Sequence, residues 1–207
     1  MSRIILVICS GFHDPDDTEG ILQLWRQNPD LKALPLVVLG HDAPWAPLSA
    51  HALRQSLDQS LLHQGLEIDP SPDLILWAFS AGCVGAVALA HHWQRYRGRV
   101  RGLFLVDGWG VPWQGVAPLH RLSHDNFTHH SSRLLGAGRA DFVAQPAVPH
   151  RQLWRSPQTV RGLGELPPNA VPPASIQPLS TADFLTQWTR FYALPSWPLG
   201  KGSQGHF

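Results

Sequence analysis

Hydrophobic positions in the first half of the chain fall in short unbroken runs. Ile4–Cys9, Leu36–Leu39, Leu74–Phe79 and Val100–Val106 read as strands covered on both faces, as in a parallel sheet. The stretches between them repeat at helical spacing. Asp14-Pro15 followed by Asp16 and Asp17 supplies a cap, a proline at the first helical position and acids in the first turn. Ile21, Leu24 and Trp25 then form one apolar face, and Leu53, Leu57 and Leu61 recur every four residues after a cap at Ser49. Ala81 to Tyr96 predicts a third helix, with Gly82 and Gly85 near its start. Strands alternating with helices imply right-handed crossovers and an α/β three-layer sandwich with a mostly parallel sheet.

Beyond Val106 the period is lost, and residues 108–148 are expected to form an inserted lid. A fifth strand is expected near Arg151–Trp154, and an irregular connector at Pro167, Pro168, Pro172 and Pro173. A short edge strand is expected at Ala174–Leu179. Ser180 and Asp183 have capping-box spacing and open a final helix with Phe184, Trp188 and Phe191 on one face. The pattern thus gives one domain over residues 1–199, its lid at about 108–148, and a polar tail at 200–207.

A chain of 207 residues with 43% hydrophobic and 15% charged positions has ample material for one core. The formal net charge of +1 gives no field to gather nucleic acid or an acidic membrane. Arg95, Arg97, Arg99 and Arg101 read as a solvated turn at the amino edge of the sheet. No apolar run approaches the ~18 residues of a membrane span, and Ile4–Cys9 is too short for a signal segment. Cys9 and Cys83 lie in apolar stretches as two buried thiols, which suits a cytoplasmic protein. No cofactor is implied.

Ser80 follows an apolar run and precedes a helix of small residues. A serine at such a junction must sit on a tight turn, and the positions two before and two after it must be small. Here they are Ala78 and Gly82. The segment resembles the nucleophile elbow of the α/β-hydrolase superfamily, in the variant with Ala at the first small position. The resemblance implies Ser80 as nucleophile and the N–H of Ala81 as one oxyanion donor. The first strand ends in Ser10-Gly11-Phe12-His13, where the superfamily commonly has His-Gly, so Phe12 is implied as the second donor. The likeness extends over about residues 3–107 and 149–193.

Family order is serine, acid, histidine. The position near Trp154 offers no carboxylate, whereas Asp107 directly follows Val106, and some superfamily members carry their acid there. The loop before the last helix, Ile176–Asp183, contains no histidine. The base is therefore sought elsewhere: His13 beside the oxyanion loop, or His124, His129 and His130 in the lid. His41 is a weaker alternative, His91 and His92 read as helix packing or surface, and His150 is expected at the opposite edge of the sheet. His120 and His124, with Asp125 and His129, have spacing that a zinc ion can use, but structural or pocket-lining roles fit them better, so no metal is assigned. Trp109, Trp113 and Phe127 are expected near Ser80, as pocket walls or as lid anchors.

Two functions follow. One is a serine hydrolase of an ester or thioester carrying an apolar acyl or aromatic group. The other is a degenerate hydrolase-fold binding or scaffold protein, with a small-molecule ligand or a protein partner.

Overall fold

The computed structural model describes residues 3–40, 45–66, 70–169 and 175–194. Its eight-stranded sheet has the order β2-β1-β3-β4-β5-β6-β7-β8. The strands are β1 (Ile4–Cys9), β2 (Leu36–Leu39), β3 (Asp73–Phe79), β4 (Val100–Val106), β5 (Leu119–Ser123), β6 (Phe142–Ala144), β7 (Arg161–Glu165) and β8 (Ile176–Ser180). All pairs from β2 to β6 are parallel, and β7 and β8 join antiparallel at one edge. The helices are α1 (Pro15–Gln27), α2 (Pro29–Lys32), α3 (Ala50–His63), α4 (Gly82–Tyr96), α5 (Asn126–Arg133), α6 (Gln152–Arg155) and α7 (Thr181–Ala193), with a 3-10 turn at Ala46–Leu48.

Successive strand residues point to opposite faces, and each face has its own core. Ile5, Val7, Cys9, Leu74 and Leu76 pack with α3 and α4. Leu6, Ile8, Ile75 and Trp77 pack with α1, α6 and α7. The chain is therefore a three-layer α/β sandwich. Trp77 ties the sheet to α7 by donating its indole N–H to Thr189 Oγ1 (3.1 Å). Ser49 caps α3 through the Ala52 N–H, and Ser180 with Asp183 forms the capping box of α7.

The segment expected to be a lid is instead sheet and helix over much of its length, containing β5, α5 and β6. The hydrophobic pattern hides β5 because its sequence, Leu-His-Arg-Leu-Ser, is buried at every position, polar ones included. Residues 151–154 also differ from expectation, lying in and beside the short helix α6 rather than in a strand. The expected edge strand is observed as β8, and the tail at 200–207, like Pro172, Pro173 and Ala174, lies outside the described residues. Half of the arginine run is not a solvated turn. Arg97 pairs with Asp58, and the buried Arg101 pairs with Asp73 at 2.7 Å. No described helix is long and apolar enough to cross a membrane.

Candidate functional site

Parallel strands bring their carboxyl ends to one edge, and that edge is where three loops converge. Ser80 directly follows β3, Asp107 directly follows β4, and His124 directly follows β5. Ser80 and Asp107 both adopt the left-handed backbone conformation, with φ of 52° and 51°. Side-chain-bearing residues rarely hold that conformation, so the surrounding structure must impose it. Close packing supplies the constraint. A Cβ at Gly82 would lie 2.4 Å from Ser10 O, and one at Gly11 would lie 2.7 Å from Phe79 O. The start of α4 therefore presses against the end of β1, and the loop after β1 presses against the turn at Ser80, and only glycine fits at those two contacts.

The imidazole that reaches Ser80 belongs to His150. Its Nε2 lies 3.2 Å from Ser80 Oγ and its Nδ1 lies 2.8 Å from Asp107 Oδ2. A carboxylate only accepts, so Nδ1 carries the proton and Nε2 keeps the lone pair that accepts from the Ser80 hydroxyl. Phe79 sets the plane of that ring. It stacks on His150 at 4.9 Å (ring centroids), and Trp154 stacks on Phe79 at 5.2 Å. Trp154 lies on α6, which is held to α1 by ion pairs from Arg151 and Arg155 to the buried Asp17.

This corrects the expectation that His150 lies at the far edge. That expectation assumed a strand beginning at Arg151. The strand beside it is β6, which ends at Ala144 and runs parallel to β5, so the loop leading to His150 departs from the same edge as Ser80. The sequence signal was the short apolar triplet Phe142–Ala144, obscured within a polar stretch.

Asp107 has a second imidazole. Its side chain is fully buried, and Oδ1 accepts both the His124 main-chain N–H (2.9 Å) and His124 Nδ1–H (3.1 Å). The hydrogen bond to Asp107 raises the pKa of His124, against partial burial and with help from the negative charges of Asp107 and Asp125. Asp125 also caps α5 by accepting the Thr128 N–H.

The other expected bases lie elsewhere. His13 Nε2 contacts Thr18 Oγ1 at 3.0 Å, and its ring stands edge-on to Phe79. His129, on α5, contacts Arg133 and the ring of His130; burial lowers its pKa. His120 is fully buried in β5, with Nδ1 2.7 Å from Ala140 O and Nε2 2.6 Å from Tyr192 Oη. Both of its nitrogens are therefore used, and it shares no helix with His124, so the His120–His124 zinc pairing does not form. His41 lies outside the described residues.

Ala81 directly follows Ser80, and Phe12 directly follows Gly11, where a Cβ would lie 3.1 Å from Ser80 Cβ. Among the described residues the N–H of neither Phe12 nor Ala81 is donated to a main-chain acceptor. Phe12, Trp109 and Phe127 expose 56%, 65% and 80% of their surfaces, and each lies in or just after a loop at this edge. Trp113 does not join them. It is buried, donates to Ala117 O and packs against His91.

No protein-family model matches the chain, and no curated protein matches it. Among solved structures it is similar to a candidate YdeN-like hydrolase from Pectobacterium atrosepticum. The match has 16% identity and a TM-score of 0.39, and covers 61% of this chain and 66% of that one. In class the protein is a three-layer α/β fold built on one eight-stranded, mostly parallel sheet.

Proposed function

We propose that the protein is a serine hydrolase of the α/β-hydrolase kind, acting on an ester or thioester with an apolar acyl or aromatic group. The observation that carries this reading is the continuous relay Ser80 Oγ–His150–Asp107, with contacts of 3.2 and 2.8 Å. His150 Nε2 takes the Ser80 proton as Oγ attacks the carbonyl carbon. Asp107 holds the imidazole in the correct tautomer and stabilises the cation that forms. The N–H groups of Phe12 and Ala81 receive the negative charge developing on the carbonyl oxygen. His150 then returns the proton to the leaving oxygen or sulfur, and water repeats the sequence on the acyl-enzyme.

The exposed rings of Phe12, Trp109 and Phe127 support an apolar or aromatic substrate, since such rings bury area against a like partner. The alternative, a degenerate binding protein, draws on the absence of an imidazole from the loop before the last helix; the contact of His150 with Ser80 Oγ supports the catalytic reading instead. Cys9 and Cys83, free and buried, suit a reducing cytoplasmic setting.

A fluorophosphonate probe followed by mass spectrometry tests the proposal. The expected adduct is on Ser80, and it disappears in Ser80→Ala and His150→Ala. A folded protein that never reacts with the probe, and hydrolyses no p-nitrophenyl ester of any acyl length, would exclude the hydrolase.

A further inference from the structure

We propose that Asp107, His124 and His150 also form a binding site for a zinc-like divalent cation, and that filling it silences Ser80. The metal site stands on its own geometry; only the silencing rests on the hydrolase reading. The three side chains come from three different loops, yet their donor atoms all lie within 4.8 Å of one another. His150 Nδ1 is 2.8 Å from Asp107 Oδ2, and His124 Nδ1 is 3.1 Å from Oδ1. Zinc at about 2.0–2.1 Å from each donor has ligand–ligand edges of roughly 3.3 Å in a tetrahedron. Modest shifts therefore admit the ion, and the partly exposed His124 and His150 rings can make them. Two imidazoles and a carboxylate are a set that zinc favours, with a fourth position left for water.

The distal ring nitrogens strengthen the case. A metal-bound histidine needs a partner for its other nitrogen, and both have one. His124 Nε2 faces Asp125 Oδ2 at 3.5 Å, and His150 Nε2 faces Ser80 Oγ at 3.2 Å. When the cation takes the two Nδ1 lone pairs, each imidazole carries its single N–H on Nε2: a neutral ring moves its proton there from Nδ1, and a ring protonated on both nitrogens releases the Nδ1 proton to solvent. The new Nε2–H of His124 points at the Asp125 carboxylate. The new Nε2–H of His150 points at Ser80 Oγ, and the nitrogen that must accept the serine proton is no longer able to. Proton relay and bound cation exclude one another.

Calorimetric titration of Zn²⁺ into the full chain, with Co²⁺ absorption as a spectroscopic check, tests this. The expected result is one site per chain with a tetrahedral Co²⁺ spectrum. Its affinity falls about a hundredfold in His124→Ala and about tenfold in Asp125→Asn, which retains an amide oxygen to cap α5. Saturating that site with Zn²⁺ suppresses fluorophosphonate labelling of Ser80, and a chelator restores it. Equal zinc affinity in wild type, Asp125→Asn and His124→Ala would overturn the site, as would the lack of any stoichiometric binding. Binding that leaves labelling unchanged would overturn the silencing. Zinc binding that depends on His124, with Ser80 unreactive at every metal concentration, would sink the hydrolase reading and leave the metal site standing.

Discussion

Asp107 Oδ2 and His150 Nδ1 meet at 2.8 Å although 43 residues of chain separate them. The Asp107 carboxylate selects the His150 tautomer, because Nδ1 must donate to it. Changing Asp107 to Asn removes that selection. The expected consequence is a loss of about three to four orders of magnitude in the rate of Ser80 acylation, with the far-ultraviolet circular dichroism spectrum retained. Stopped-flow acylation by an activated ester measures it; a loss below tenfold would count against the assigned role.

The backbone at Ser80 offers a separate test. Its φ of 52° costs a residue with a Cβ about 1 kcal/mol, which glycine largely avoids. Ser80→Gly should therefore be more stable than Ser80→Ala by about 1 kcal/mol, while neither variant takes the probe. Urea denaturation of the two variants decides the matter, and equal midpoints would mean that the turn is unstrained.

His120 makes the fold sensitive to acid. Burial lowers its pKa from 6.5 to about 3, so the folded protein keeps it neutral. The sign follows directly. Above pH 6.5 both folded and unfolded chains carry a neutral ring and nothing is lost. As pH falls from 6.5 toward 3, the unfolded chain binds a proton that the folded chain refuses, and stability declines by about 1.4 kcal/mol per pH unit. His120→Asn should start less stable at pH 7, having lost part of the link to Ala140 and Tyr192, but should show a shallower decline between pH 6.5 and 5. Parallel stability profiles for the two proteins would refute this.

Arg121 is buried in β5 and donates to the main-chain carbonyls of Gly136 and Val111 at 2.7 and 2.9 Å, with longer contacts to Gly108 and Leu135. It thereby fixes the loop just after Asp107, where Trp109 lies. Arg121→Met leaves those carbonyls unsatisfied and should cost about 3 kcal/mol. Hydrogen exchange should accelerate first in residues 108–113; uniform acceleration across the sheet would contradict the local anchoring role.

Local pattern is enough to specify β1 to β4, α1, α3, α4 and α7. Their apolar runs and caps are local, and the burial that stabilises them matches what periodicity encodes. It also carried the demand for small residues around Ser80, because a tight turn imposes steric limits on its immediate neighbours. Tertiary structure decided the rest. The strand β5 buries His120 and Arg121 through partners 10 to 72 residues away, so its polar residues conceal a strand from any local pattern. With β5 and β6 hidden, the histidines beyond Val106 could not be ordered along the sheet edge. The choice of His150 over His124 and His129 depends on the direction of β6 and on the stack of Trp154, Phe79 and His150. Both are relationships between distant parts of the chain, fixed only when the layers pack.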